Sequence, residues 1–474
     1  MISRKVLADI MMKFFSTESL LNGYPPKGEL PPEREMYSTF LKLAWPSVVE
    51  AVLVGLVGLV DTLMVATLGD LAIAAVGITQ QPKMVLMCFV FALNVGITAV
   101  VARRKGEGKR ESANHAMRNG LFIGLMIILV TSWVGRTFAE PFLRFAGAND
   151  DYIADSVAYF RIISISIIFQ CMNGAINAAQ KGSGNSRISM TSNMIGNIVN
   201  ICFNYLLING IGSFPRLEVR GAAIATAMGA FVAFSVSSAR LLNKKNYISF
   251  FCKAPWKLSG EVLGPIIKVG RSALIEQLCM RVGFFLFNKI VADLSTLAYT
   301  THVACMNFMS LSWCCGDGFQ VASTALAGQS LGARRPDKAV IYCNIGQRVV
   351  FFVALTFSIL MITLRRQIMT LYSDTPEVLE MGSIVLLFIA GITYVQTAQV
   401  IFTGCLRGAG DTRFTAITAV VSVALVRPVF GYLLTYTLGM GLYGAWTAIA
   451  LDQSSRLIMS FWRIRQKKWL EIKL

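Results

Sequence analysis

Two carboxylates, Glu50 and Asp61, stand in one long apolar stretch of the chain. Their spacing of eleven residues is three helical turns plus about 20°, so on a helix both acids share a face, about 16 Å apart along its axis. Ionisable groups inside apolar segments are costly and mark ion pathways and proton relays. Three roles are open to each acid. It can take up a proton, hold a sodium ion with carbonyl and amide oxygens beside it, or serve as a structural acid paired with a buried base such as Arg281 or Arg427. Amides form the second chemical set: Gln170, Asn173 and Asn177 in one apolar stretch, and Asn193, Asn197, Asn200 and Asn204 in the next. Spacings of three, four and seven keep each set near one helical face. Such a row is either a hydrogen-bonding wall around an ion or substrate, or glue between helices.

The elements that carry these residues occur twice. A shift of 226 residues carries Glu50 onto Glu276, Gln170 onto Gln396, Gly106 onto Gly332, and Lys181-Gly-Ser-Gly-Asn-Ser-Arg187 onto Arg407-Gly-Ala-Gly-Asp-Thr-Arg413. Two similar halves in a hydrophobic chain point to a transporter, with sites between repeats. The repeat is unequal. Asp61 falls on Phe287, and the second-half partner of the asparagine-rich stretch, around Val420–Tyr432, lacks the amides. The polar chamber is therefore expected in the first half.

Of 474 residues, 55% are hydrophobic and 15% charged. A soluble domain carries about 25% charged residues, so the chain reads as a polytopic membrane protein. The net charge of +18 would in a soluble protein suggest nucleic-acid binding. Here the basic residues lie mostly in short connections, as an orientation signal. Nucleic acid is thus not an expected partner. Ten cysteines without a CxxC pair read as small buried hydrophobes. With only two histidines, His115 and His302, a histidine-based metal site is not expected, nor is any bound cofactor.

Twelve apolar segments are long enough to span a bilayer: 41–67, 72–102, 116–138, 153–179, 189–211, 221–242, 264–292, 298–328, 341–364, 379–405, 414–437 and 442–463. The expected organisation is a cytoplasmic N-terminal segment (1–40), a first six-helix lobe (41–242), a cytoplasmic loop (243–263), a second lobe (264–463) and a basic tail (464–474). Residues 2–15 alternate basic and apolar side chains, in the pattern of a short helix lying on the membrane surface. Lys and Arg concentrate in the connections around 103–110, 244–257 and 334–338 and after 463. The opposite connections are poorer in positive charge and carry Asp150, Asp151, Asp374 and Glu377. Both termini are predicted to face the cytoplasm of a cell membrane. Pro46 permits a bend beside the two acids. Phe284, Phe287, Met306 and Phe308 offer polarizable contacts to a cation.

These features converge with several sequence stretches. Leu43-Ala-Trp-Pro46 opens the first span, followed by Val60-Asp-Thr-Leu-Met-Val65 and Leu68-Gly-Asp-Leu-Ala-Ile-Ala-Ala-Val-Gly-Ile78. Gly221-Ala-Ala-Ile-Ala-Thr226 follows, then Gln320-Val-Ala-Ser-Thr-Ala-Leu-Ala-Gly-Gln-Ser-Leu-Gly332 and Leu406-Arg-Gly-Ala-Gly-Asp-Thr-Arg413. Over about residues 40–463 the chain resembles the multidrug and toxic compound extrusion (MATE) family. The resemblance implies an all-α integral membrane fold of twelve transmembrane helices in two six-helix lobes, arranged as a V and related by a pseudo-twofold axis along the membrane normal. It also implies export of mostly cationic, amphipathic organic compounds in exchange for protons or sodium ions. The chain is expected to act as a monomer. Asp61 matches the first-span acid of the family, and Glu276 the seventh-span glutamate of its NorM-like branch. Asn200, Ala222 and Thr226 match cation-site positions of the DinF-like branch. Asn204 replaces the fifth-span aspartate of that branch, and Gln396 replaces the tenth-span aspartate of the NorM-like one. Asp317 adds an acid in the eighth span.

The expected coupling set is therefore Asp61, Glu50, Glu276, Asn200, Asn204, Thr226 and Ala222, with Asp61 the residue that would hold any sodium ion. Gln170, Asn173, Asn177, Asp317 and Gln396 are candidates to line the cleft. Two other readings compete. A flippase of lipid-linked precursors would need cations for phosphate, and Arg281 and Arg427 are the main deep ones. An integral-membrane enzyme would need a reactive cluster that two isolated histidines do not supply.

Overall fold

The computed structural model describes residues 16–211, 214–372 and 375–472. The expected surface helix over residues 2–15 lies outside them, as do Asp374 and the last two residues of the tail. The described chain is helical, with no strand among its described residues. Long helices run over Glu33–Ala66 (α1), Asp70–Gly106 (α2), Arg110–Thr137 (α3), Ile153–Gly182 (α4), Ser186–Asn209 (α5) and Glu218–Leu241 (α6). The second series is Gly260–Ala292 (α7), Thr296–Gly332 (α8), Pro336–Thr363 (α9), Pro376–Ala409 (α10), Thr412–Thr437 (α11) and Gly441–Arg465 (α12). Each expected span lies on one of these helices to within two residues at either end. Eight of the twelve are long and apolar enough to cross a membrane on length and composition alone. The other four, α5, α7, α8 and α12, carry the amides and charges that lower their hydropathy.

Local chemistry explains several ends. Proline opens α9 and α10 at the first turn, where its missing N–H costs nothing. Gly210 and Gly410 close α5 and α10 in the left-handed conformation, at φ 68° and 88°. Within α11, the segments Val420–Val426 and Leu433–Thr437 widen into π turns on either side of Arg427–Tyr432. Such widened turns recur at sites where a helix must re-aim a side chain.

The chain divides into two compact units. One comprises 1–48, 106–108 and 278–474, the other 49–105 and 109–277. The boundaries fall within α1, after Val48, and within α7, after Gln277. In the unit of 49–277, Val65, Leu86, Val90, Ile128, Phe160, Ile163, Ile208 and Ala223 form one apolar core. Ile97, Val101, Met117, Ile176 and Ile266 form another. In the other unit, cores gather around Phe40, Phe319, Ile345 and Leu406, and around Phe287, Met309, Leu386 and Trp446.

The repeat is visible in the packing of each unit. A Cβ on Gly182 would meet the Thr98 carbonyl oxygen at 2.6 Å, so α4 and α2 approach backbone to backbone. Gly408 stands in the same relation to the Thr324 carbonyl of α8. Both residues of that contact are carried over by the shift of 226. Small residues at such crossings let membrane helices pack through their backbones.

Candidate functional site

The unit of 49–277 holds two polar clusters along α1. At the first, Glu50 Oε1 accepts from Lys181 Nζ at 2.9 Å, Ser189 Oγ at 2.9 Å and Asn193 Nδ2 at 2.6 Å. Oε2 of the same carboxylate is buried and has no hydrogen-bond partner. The amides continue the network. Asn173 Nδ2 donates to Asn193 Oδ1 at 2.8 Å, Asn177 Nδ2 to Asn173 Oδ1 at 3.1 Å, and Ser192 Oγ to Asn177 Oδ1 at 3.4 Å.

Three turns further along α1 stands the second cluster. Asn204 Nδ2 donates to Asp61 Oδ1 at 2.6 Å. The surroundings of Asn200 favour the orientation in which its nitrogen also donates to Asp61 Oδ1, at 2.9 Å, while its oxygen accepts from the Thr226 backbone N–H at 3.3 Å. Thr226 Oγ1 donates in turn to the Ala222 carbonyl at 2.9 Å. Tyr159 of α4 packs in one apolar core with Val65, one turn beyond Asp61.

One register relates the two clusters. From Glu50 to Asp61 is eleven residues, and so is the step from Ser189 to Asn200 and from Asn193 to Asn204. A constant offset of the same sign means that α1 and α5 run alongside one another in the same direction. Two helices separated by an even number of crossings must do so, as the first and fifth of a series. The asparagine row of α5 is therefore the wall for both acids of α1.

The close approach of α5 to α6 sets that wall in place. A Cβ on Gly229 would meet the Gly196 carbonyl oxygen at 2.7 Å and Asn200 Cβ at 2.8 Å. Gly229→Val must push the two helices apart and carry Asn200 away from Asp61. We expect a loss of about 1–3 kcal/mol of stability together with loss of transport. A thermal midpoint equal to that of the parent protein would contradict this packing argument.

The structure thus brings together Glu50, Asn173 and Asn177 in one network, and Asp61, Asn200, Asn204, Thr226 and Ala222 in another. Gln170 stands apart, donating to Ser166 Oγ at 2.9 Å. Glu276 is buried. Gln396 belongs to the other unit, where its Oε1 accepts from Ser312 Oγ at 3.4 Å; Asp317 of that unit is exposed. The pairing of the acids with Arg281 or Arg427 is corrected where partners are seen. The base on Glu50 is Lys181, and Arg427 is buried against Asp452, Nη2 to Oδ2 at 2.5 Å, with Phe284 and Phe287 beneath its guanidinium.

Sequence reasoning missed Lys181 and Asp452 as partners of buried charges. Asp452 lies within the expected span 442–463, where the rule that ionisable groups inside spans are functional or paired applies. Lys181 stands two residues past the expected span 153–179, outside the reach of that rule.

Comparison with known proteins follows the same lines. The model of the MatE family matches two stretches, residues 46–206 and 273–433. The chain is 24% identical over 440 residues to the uncharacterized transporter YisQ of Bacillus subtilis, covering 93% of this chain and 96% of that one. To the probable multidrug resistance protein NorM of Thermotoga maritima it is 25% identical over 452 residues, covering 95% and 96%. Among solved structures, an outward-facing multidrug resistance MATE transporter of the MOP superfamily superposes with a TM-score of 0.86 at 19% identity, covering 96% and 98%. A MATE protein in the bent conformation gives 0.84 at 20% identity, covering 95% and 97%.

Proposed function

We propose that this chain, which belongs to the MatE family, is a multidrug efflux transporter that exports small amphipathic organic cations in exchange for an inward-moving proton or sodium ion. The relatives named for multidrug resistance support the substrate class. The observation that carries the coupling is the Asp61 cluster: one carboxylate inside a span, held by two amides of α5. A ligand shifts a conformational equilibrium only by its different affinity for the two states. A carboxylate whose charge is neutralised by the incoming cation in one state, and exposed to the organic cation in the other, supplies such a difference. Glu50 with Lys181, and Glu276, are proposed to set the energies of the states rather than to meet the substrate.

We place the transporter in the cell membrane with both termini cytoplasmic, on the distribution of Lys and Arg, and propose that it works as a monomer. The flippase reading loses Arg427, which is 1% exposed and held against Asp452, and rests on Arg281 alone.

The test is transport of ethidium in proteoliposomes under an imposed proton gradient and, separately, an imposed sodium gradient. Uphill movement under one of them is the expected result. No movement under either gradient, with folded protein in the vesicles, would overturn the reading.

A further inference from the structure

The connection between α6 and α7, residues 242–259, lies within the unit of 49–277. Four side chains from the first turns of α3 hold its backbone. Arg110 donates from Nε to the Tyr247 carbonyl at 3.0 Å, and from Nη2 to those of Lys244 and Asn246 at 3.2 and 2.6 Å. Asn114 donates to the Tyr247 carbonyl at 3.0 Å and accepts from the Ser249 N–H at 2.7 Å. His115 Nε2 meets the Lys257 carbonyl at 2.7 Å. Arg118, itself buried, donates to the carbonyls of Phe250 at 2.8 Å, Cys252 at 2.9 Å and Ala254. The connection therefore has a fixed shape.

That shape holds apolar side chains outward. Phe251, Trp256 and Leu258 are 55%, 68% and 52% exposed, although Arg118 and Phe250 lie against the Trp256 ring at 4.4 and 6.0 Å. Lys244, Lys253 and Lys257 stand exposed among them. The patch is continuous: Lys244 Nζ lies 5.0 Å from the Phe251 ring, the adjoining Phe250 stacks on Trp256, and Lys257 and Leu258 follow. An orientation signal needs the positive charges alone; it requires neither a fixed backbone nor exposed rings. The charge here is also uncompensated. Lys105, Arg110 and Arg118 meet carbonyl oxygens and ring faces, and none of them has a carboxylate partner among the described residues. Arg118 Nε is buried without a hydrogen-bond partner. Exposed rings and aliphatic groups settle at the headgroup level of a bilayer, and clustered lysines beside a span attract its anionic lipids.

We propose that the connection between α6 and α7 is a docking surface for anionic phospholipid. Phe251, Trp256 and Leu258 enter the boundary between headgroups and acyl chains, and Lys244, Lys253 and Lys257 meet the phosphate. With the orientation proposed above, this lipid belongs to the inner leaflet. Because α3 clamps the connection, lipid seated there braces the start of α3 as well, and binding to the folded state stabilises it by mass action.

The experiment uses the full-length protein in a neutral detergent, with no ion gradient and no organic cation, so it stands or falls apart from the efflux assay. Dioctanoyl phosphatidylglycerol, dioctanoyl phosphatidylcholine and inorganic phosphate are added separately. The thermal midpoint and the lipid retained in native mass spectrometry are followed for three proteins: parent, Lys244→Gln/Lys253→Gln/Lys257→Gln, and Arg465→Gln/Lys467→Gln/Lys468→Gln, which loses the same charge at the other end of the chain. Phosphatidylglycerol should raise the parent midpoint saturably and remain bound, and the other two additions should not. The first triple variant should need on the order of 100-fold more phosphatidylglycerol for the same shift, since each lysine near an anionic surface contributes about fivefold. The second should stay within about threefold of the parent. Should the first triple variant not fold, Leu258→Asn, which removes exposed apolar area and no charge, takes its place and should weaken lipid binding. An equal response of the parent to phosphatidylcholine or to phosphate would overturn the proposal. So would parental lipid affinity in the folded lysine variant or in Leu258→Asn, or an equal loss in the second triple variant.

Discussion

Asp61→Asn is expected to lower ethidium export from energised cells by about tenfold or more at unchanged protein level, since an intramembrane carboxylate is retained for the charge it carries. The substitution is nearly isosteric. Its side-chain oxygen can still accept from Asn204, whose bond to Asp61 is 2.6 Å in the parent. The wall of amides on α5 is therefore kept, and the negative charge is the property removed. The incoming cation then has no group to neutralise, so the two conformations lose their difference in affinity. The thermal midpoint and protein level are measured beside export and are expected to stay near those of the parent. Asp61→Glu, which keeps the charge, should retain part of the activity. Full export by Asp61→Asn at parental protein level would remove Asp61 from the coupling mechanism.

Much of this site was legible in the amino-acid sequence because helical periodicity is a strong constraint. Residues spaced eleven apart must share a face, and α1 and α5 both use that spacing, so the acids meet the amides. Partner choice was less legible. Which base answers a buried acid depends on the lateral packing of helices, which periodicity within one helix does not report. Lys181 meets Glu50 because Gly182 lets α4 pack tightly on α2 and fixes the end of α4. Arg427 instead sits between two π turns, which shift its direction relative to an uninterrupted α-helix. The shift of 226 nevertheless points to its partner. It carries Thr226 of the Asp61 cluster onto Asp452 of α12, and Asp61 itself onto Phe287. The second half is not bare at this place. Its acid has moved from the first helix of the repeat to the sixth, where it meets Arg427 of the fifth.

That relocated cluster carries the largest stability prediction. Asp452 is fully buried and serves two arginines. Its Oδ2 accepts from Arg427 Nε at 3.0 Å and Nη2 at 2.5 Å, and Arg456 adds bonds of 3.2 Å to Oδ1 and 3.0 Å to Oδ2. Arg427 is 1% exposed and lies over the Phe284 and Phe287 rings at 4.7 and 5.7 Å, so it has no route to water. Asp452→Asn leaves two positive charges close together with no negative one between them. Removing one partner of a buried pair costs about 3–5 kcal/mol, and here the remaining charges also repel. We expect a fall of many degrees in the thermal midpoint and little mature protein in the membrane. Arg427→Met made together with Asp452→Leu should cost less than half as much, because well-packed apolar residues can replace a buried pair. Should the double substitution be as damaging as Asp452→Asn, the cluster would owe its effect to shape rather than charge. A midpoint for Asp452→Asn within about 1 °C of the parent would show that the arginines find water or another partner. The contrast between the halves then becomes a matter of energetics. At the first cluster the carboxylate is held by neutral amide N–H groups, which an incoming cation can displace. At the second it is held by two arginines through several charge-assisted bonds, one of them over two aromatic faces. A coupling site has to open, and a clasp that holds one half together must not, so the same place in the repeat carries an acid held by amides in one half and a tight ion pair in the other.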